Sequence, residues 1–213
     1  MKKEEERPLT QAEQRRLERF AGIREKLEGE GYQVRELTAG VVYANVMAIV
    51  TTLPICALFV WWFFAPGAEP KQGKIIEFPG ILLFALCFIV LIFAHEGLHG
   101  LTWGIFAPGH LKSIEFGFIK EYLTPYCTCK ETLRRGEYIL GLLMPMLLLG
   151  ILPSLIGVLT GSFFLLGLGL MMILGAGGDF TIFLKILFHR SSGRETLFLD
   201  HPTKVGLIVF ERY

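Results

Sequence analysis

PGILLFALCFIVLIFAHEGLHGLTWGIF, residues 79–106, decides how the chain is read. It carries no charged side chain before Glu96 and exceeds the roughly 20 apolar residues that a helix needs to cross a bilayer. In its second half stand His95, Glu96 and His99, in the pattern H-E-x-x-H. Positions i and i+4 share one face of a helix, so both imidazoles can reach a single metal ion while the glutamate beside the first can reach a water. An unpaired ionisable side chain near the bilayer centre costs roughly 2.5 kcal/mol or more, so three of them within five residues call for a partner.

Three further apolar runs, at about 41–65, 138–160 and 162–188, match that length. Only Thr160-Gly161-Ser162 separates the last two, which predicts an antiparallel helical hairpin. Hydrophobic residues make up 52% of the 213 and charged ones 19%, below the roughly 25% of a soluble domain. The fold class that follows is an all-α integral membrane protein with about four transmembrane helices, a small membrane-adjacent β-hairpin and an N-terminal amphipathic helix. A net charge of +1, with no basic face, excludes nucleic acid as a partner and leaves the lipid bilayer as the first one.

Lys and Arg set the orientation. Nine precede the first run, two lie between the first and second, five between the second and third, none in the 160–162 turn, and five from Lys185 onward. Positive charge marks the cytoplasmic side, so both termini and the 107–137 loop are expected there in a multi-pass protein of the cell membrane. The first forty residues are polar, so no cleaved signal peptide is expected. Cys56 and Cys87 lie in apolar runs, and the four cysteines do not form a disulfide framework.

The chain divides into a cytosolic helical segment over 1–38, a transmembrane metal-binding domain over 39–190 with a hairpin at 111–130, and a cytosolic tail over 191–213. Thr10 and Glu13 form a capping box ahead of Leu17, Phe20, Ile23 and Leu27, and Gly29 and Gly31 stop the pattern. Lys112 to Phe118 alternates, and Leu123 to Lys130 is rich in strand formers. Pro125 confines its strand to an edge, where another peptide could pair.

Two histidines leave a zinc site one protein ligand short. Asp179, one of two aspartates in the chain, sits inside the last apolar run and is the favoured third ligand. His95 and Asp179 each lie ten or eleven residues before the ends of their runs, roughly 15 Å below the same surface at 1.5 Å per residue. Gly175, Gly177 and Gly178 could let two backbones approach there. His110, Glu121, His189 and His201 are rival ligands, all outside the runs. Cys127 and Cys129 share a strand face and could bind a soft metal, but ordinary packing is favoured.

His95 to Gly100, Pro125 to Cys129, Pro145, Gly178-Asp179 and the tail Asp200 to Gly206 together resemble the putative zincin peptidase family of small bacterial membrane proteins. The resemblance covers most of the chain after about residue 35. An H-E-x-x-H helix with a later membrane aspartate is also distantly similar to the site-2 proteases, although Asp179 follows two glycines and lacks the asparagine- and proline-rich context usual there. What the resemblance implies is a zinc metallopeptidase of a bacterial membrane, an intramembrane protease with His95, His99 and Asp179 as ligands and Glu96 as general base, hydrolysing a membrane protein or peptide substrate. A non-catalytic zinc-containing scaffold, and a zinc hydrolase acting on a lipid or other amide, are the alternatives.

Overall fold

The computed structural model describes residues 9–65, 78–119, 124–190 and 195–213; Glu121 lies outside them. The capping box forms as expected: the Thr10 hydroxyl accepts from the Glu13 N–H at 3.3 Å, and the Glu13 carboxylate accepts from the Thr10 N–H at 2.8 Å. It opens α1 (Gln11–Gly29), which ends ahead of Gly31 at φ 88°. The apolar stripe of α1 packs Phe20, Ile23 and Leu27 on a β-sheet.

That sheet is the feature the sequence reading did not contain. Strand β1 (Tyr32–Thr38) follows α1, and the C-terminal residues form β5 (Glu195–Asp200) and β6 (Gly206–Arg212). With the short β4 (Leu133–Arg134) they make one antiparallel sheet in the order β1-β6-β5-β4, with Tyr32 opposite Arg212 and Thr38 opposite Gly206.

The membrane part is all-α. Helices α2 (Val41–Phe64) and α3 (Phe78–Phe106) are long and apolar enough to span a bilayer. So is the continuous stretch Arg135–Thr160, which consists of α4 (Arg135–Pro145), a π-helical segment Met146–Ile151 and α5 (Leu152–Thr160). Gly161 then adopts φ 67°, and the Ser162 hydroxyl accepts from the Leu165 N–H to cap α6 (Phe163–Gly175), closing the expected hairpin. The last apolar run is not one rod: α6 and α7 (Gly177–Phe188) meet at Ala176 with a bend of 52°. Two glycines follow that joint, and glycine is a poor helix interior residue.

The sheet bears on how the bent pair is counted. Strand β1 leads into α2 and β6 follows α7, yet the two strands pair along their whole length. Three helices are long and apolar enough to cross a bilayer, and the pairing of the two strands suits an even number of crossings, with α6 and α7 together counted as one span. Strand β4, which opens α4, and the hairpin that follows α3 fall on the same side as those strands. The hairpin is β2 (Ile114–Ile119) against β3 (Thr124–Cys129), with Phe116 opposite Cys127.

Apolar side chains such as Val42, Trp61, Leu82, Val90 and Leu159 face outward, as lipid contact requires. Inside, Cys56, Phe59, Phe63, Met146, Leu166 and Ile173 form one cluster between helices. A second, including Trp103, Cys129, Tyr138, Ile186 and Phe198, ties helices to the sheet and hairpin. Of the three glycines near Asp179, only Gly177 serves close packing: a Cβ there would stand 2.7 Å from the Ala48 carbonyl oxygen, while Gly175 and Gly178 have open space. Gly177→Ala is therefore expected to lower stability by about 1–3 kcal/mol through overpacking of α2 on α7. Gly175→Ala should leave it unchanged or slightly raised, and thermal melting in detergent compares the two.

Candidate metal centre

The face of α3 that carries the motif is its buried one. His95, His99, Thr102 and Trp103 turn inward, whereas Phe93, Leu101 and Ile105 face outward. Asp179 arrives from the first turn of α7, because the break at Ala176 places a helix N-terminus, which favours negative charge, inside the bundle.

The two elements meet closely. His95 Nε2 lies 3.1 Å from Asp179 Oδ2, His99 Nε2 lies 3.4 Å from the same oxygen, and the two Nε2 atoms are 3.1 Å apart. A tetrahedral ion with bonds of about 2.0–2.1 Å spaces its ligand atoms by about 3.3 Å, so this triangle has the dimensions of three corners of such a site. Its chemistry agrees. His99 Nδ1 donates to the Gly141 carbonyl at 2.8 Å, so in neutral His99 the Nε2 presents a lone pair. That lone pair faces a carboxylate oxygen and a second imidazole nitrogen, an arrangement that needs a shared cation or proton. The three residues fit a divalent metal ion.

The Gly141 carbonyl is available for a reason visible in the sequence. In a regular helix it would accept the N–H of residue 145, and Pro145 has none. Gly141 itself is constrained from the other side, since any Cβ would run into the Trp103 indole. That indole stacks on His99 with centroids 5.1 Å apart and donates through Nε1 to the Tyr138 carbonyl at 3.2 Å. His99 is thus held by a hydrogen bond and by a ring face, the kind of outer support that fixes a ligand's tautomer and orientation.

The three rival histidines are engaged elsewhere. His110 Nδ1 bonds the Gly104 carbonyl, His189 Nε2 lies 2.8 Å from the Glu211 carboxylate, and His201 Nδ1 accepts from the N–H groups of Thr203 and Lys204. Among the described residues, His95, His99 and Asp179 are the group placed to hold a metal ion together.

A cavity of about 280 Å³ opens on the cluster, and Glu96, Tyr126, Cys127, Tyr138, Gly178 and Asp200 share its walls. Glu96 lies within reach of the Cys127 amide. Burial pushes the Cys127 and Cys129 thiols up, Cys129 to about 11, with the Asp200 carboxylate raising both further. Such thiols are poor metal ligands, and Cys129 packs in the hydrophobic core. Asp200 and Tyr138 were not among the site residues read from the sequence. Asp200, the chain's second aspartate, lies outside the apolar runs, where a carboxylate carries no cost that would signal a role.

Residues 88–192 match the family described as putative zincin peptidase. The matched stretch starts within α3 and ends just beyond α7, so it holds His95, Glu96, His99 and Asp179, and it stops short of Asp200. It is narrower than the resemblance drawn from the motifs. No curated protein and no solved structure matches the chain. The zincin likeness and the donor triangle thus coincide on the same residues.

Two outcomes follow for metal binding. Asp179→Ala should cost the purified protein its stoichiometric metal, read by elemental analysis. Pro145→Ala restores an N–H that competes for the Gly141 carbonyl, and loss of an outer-shell partner typically weakens metal affinity about tenfold or more. A competition titration with a chromogenic chelator measures this, and unchanged affinity would show that the carbonyl can serve both donors.

Proposed function

We propose that the protein is a membrane-embedded zinc metallopeptidase that hydrolyses peptide bonds of membrane or membrane-adjacent proteins. The observation that carries this reading is the His95–His99–Asp179 triangle, with Glu96 on the wall of the same open cavity. Two imidazole nitrogens and one carboxylate oxygen suit zinc among the common divalent ions, and three protein ligands leave the fourth position free, as in catalytic rather than structural zinc sites. Zinc bound there would polarise a scissile carbonyl and acidify a water molecule.

Glu96 is the general base. It is the one carboxylate next to the first histidine that takes no part in the triangle. It removes a proton from water as the oxygen bonds to the scissile carbonyl carbon, and returns that proton to the amide nitrogen as the C–N bond breaks. The distant similarity to site-2 proteases rests on this same combination of motif and membrane aspartate.

Strand β3 supports the choice of a polypeptide substrate. It pairs with β2 on one side, and no strand among the described residues pairs with its other edge. The Cys129 N–H points to that outer edge, where Asp200 accepts it, while the Lys130 N–H points inward to the Ser113 carbonyl. Alternation along the strand then turns the N–H and C=O of Cys127, and the C=O of Pro125, to the outer edge. Pro125, Tyr126 and Cys127 line the cavity. An extended peptide that added to this edge would expose a bond that a membrane helix otherwise protects by hydrogen bonding. The same reading puts the sheet, the hairpin and both termini on the cytoplasmic side of a bacterial membrane, in line with the Lys and Arg asymmetry.

Glu96→Gln separates an enzyme from a zinc-containing scaffold. The amide keeps the shape and should leave zinc bound, yet it cannot accept the water proton. Peptide cleavage by the zinc-loaded variant should fall by about 10²–10⁴-fold. If the variant, folded and zinc-loaded, restored every function in cells lacking the protein, the peptidase reading would be abandoned for the scaffold; if it accumulated an uncut membrane protein, that protein would be the first substrate to test.

A further inference from the structure

The Asp200 carboxylate joins three elements beside the metal cavity. Its Oδ2 accepts from the Thr128 hydroxyl at 2.7 Å and from the Cys129 backbone N–H at 3.1 Å, both on β3. Its Oδ1 accepts from the Tyr138 hydroxyl on α4. Tyr138 is 1% exposed and stacks on Trp103, which in turn stacks on His99. One side chain from the C-terminal sheet therefore spans the gap between the strand edge and the helix that supports a metal ligand. Burial pushes the pKa of Asp200 up, and its three donors oppose that.

The position of these bonds is specific. Of the outward-facing groups on β3, the Cys129 N–H is occupied by Asp200, whereas those of Cys127 and Pro125 remain on the cavity wall. Asp200 closes the edge at one end, and the next outward N–H, that of Cys127, faces Glu96 on the cavity wall, where an incoming peptide would take it over. From α1, two contacts reach the same hairpin: Arg19 pairs with Glu115 of β2 at 3.0 Å, and the Arg16 guanidinium lies 5.0 Å over the Tyr126 ring of β3. These steady the hairpin from its other side, whereas Asp200 holds the outer edge of β3 at Cys129, two residues from the Cys127 amide that Glu96 reaches.

We propose that Asp200 is a positioning residue that sets the register in which an extended polypeptide docks on β3. It ends the docking edge at Cys129 and fixes the distance between that edge and His99 through Tyr138. The substrate class is an unfolded or locally unwound peptide segment, because only main-chain groups are offered for pairing. This rests on the peptidase reading, and the role lies outside the family-matched segment.

Asp200→Asn tests it on the full-length, zinc-loaded protein in detergent, with β-casein as an unfolded probe. Asparagine has a single acceptor oxygen, so it can serve Tyr138 or β3 but not both. Loss of several hydrogen bonds to one side chain removed from water typically costs about tenfold or more. The expected result is unchanged zinc content, a KM raised about tenfold or more, and cuts that spread to neighbouring bonds, read by mass spectrometry; a merely stabilising role would reduce the yield at the same bonds. Tyr138→Phe removes the anchor on α4 alone and should shift the cuts in the same direction, which keeps the test open if Asp200→Asn fails to fold. A second arm needs no cleavage: alkylation of Cys127 by N-ethylmaleimide should accelerate about tenfold or more once β3 is released. Wild-type cut positions and KM in the folded variants, loss of zinc in Asp200→Asn, or an unchanged Cys127 alkylation rate would each overturn the proposal. If zinc-loaded wild type left casein intact, the peptidase reading would fall separately, and the alkylation rates alone would decide whether Asp200 holds the strand.

Discussion

A carboxylate and two imidazoles placed among apolar helices cannot rely on water, so they must satisfy one another and whatever cation they share. That constraint runs through the architecture. It requires α7 to bring Asp179 to the level of the α3 histidines, and α7 is seated there against α2, where Gly177 lacks a side chain against Ala48. It also requires the outer nitrogen of His99 to have an acceptor, which α4 provides through the Gly141 carbonyl. Each helix contacting the site contributes through a departure from the ordinary residue at that position, and the surrounding apolar packing holds the departures in place.

The sheet is the second half of the same arrangement. Asp179 stands at the start of α7, and the end of that helix is tied down by several independent bonds. Arg135 donates to the carbonyls of Ile186 and Leu187, Lys185 donates to the Thr38 carbonyl of β1, and His189 meets Glu211 of β6. Glu211 is fully buried, yet Arg35 at 3.4 Å and the Tyr213 hydroxyl at 3.1 Å accompany His189 around it. A buried charge with that many partners is costly to separate from any one of them, so it fixes the helix end relative to the sheet. Because β1 and β6 pair along their full length, residues near both ends of the chain share in holding the helix that presents Asp179.

What could be read from the sequence follows from the range of the interactions concerned. The motif on α3, the capping box at Thr10, the turn at Gly161 and the hairpin around Pro125 are all local, since a few neighbouring residues suffice to specify them. Asp179 was legible for a different reason: a lone carboxylate in an apolar run is anomalous wherever its partner lies. The four-stranded sheet had neither advantage. Tyr32 to Thr38 contains Gln33, Arg35 and Glu36 and no long apolar alternation, and its partner lies at the far end of the chain. Asp200 was hidden because a polar residue in a polar segment raises no question until folding removes it from water, and Tyr138 because a tyrosine at the edge of an apolar run is ordinary at a membrane interface. The close-packing role suggested for Gly175 and Gly178 is not seen; their open faces belong to the cavity wall instead.

Two of the irregularities of the membrane helices, at Pro145 and at Ala176, flank the metal site, and their placement is physically constrained. In hydrocarbon an unpaired backbone group costs several kcal/mol, so non-helical backbone survives only where protein or a water-filled cavity can satisfy it. Pro145 releases a carbonyl, and His99 accepts the role of donor to it. The break at Ala176 releases the first N–H groups of α7, and the Asp179 carboxylate sits in that first turn with the cavity beside it. A lone proline is tolerated facing outward, since Pro54 stands on the exposed face of α2 and the helix continues through it, but a break such as the one at Ala176 is confined to the interior. An irregular helix in the interior of a membrane protein is therefore evidence for a polar site next to it, and here two such helices point to the same few side chains.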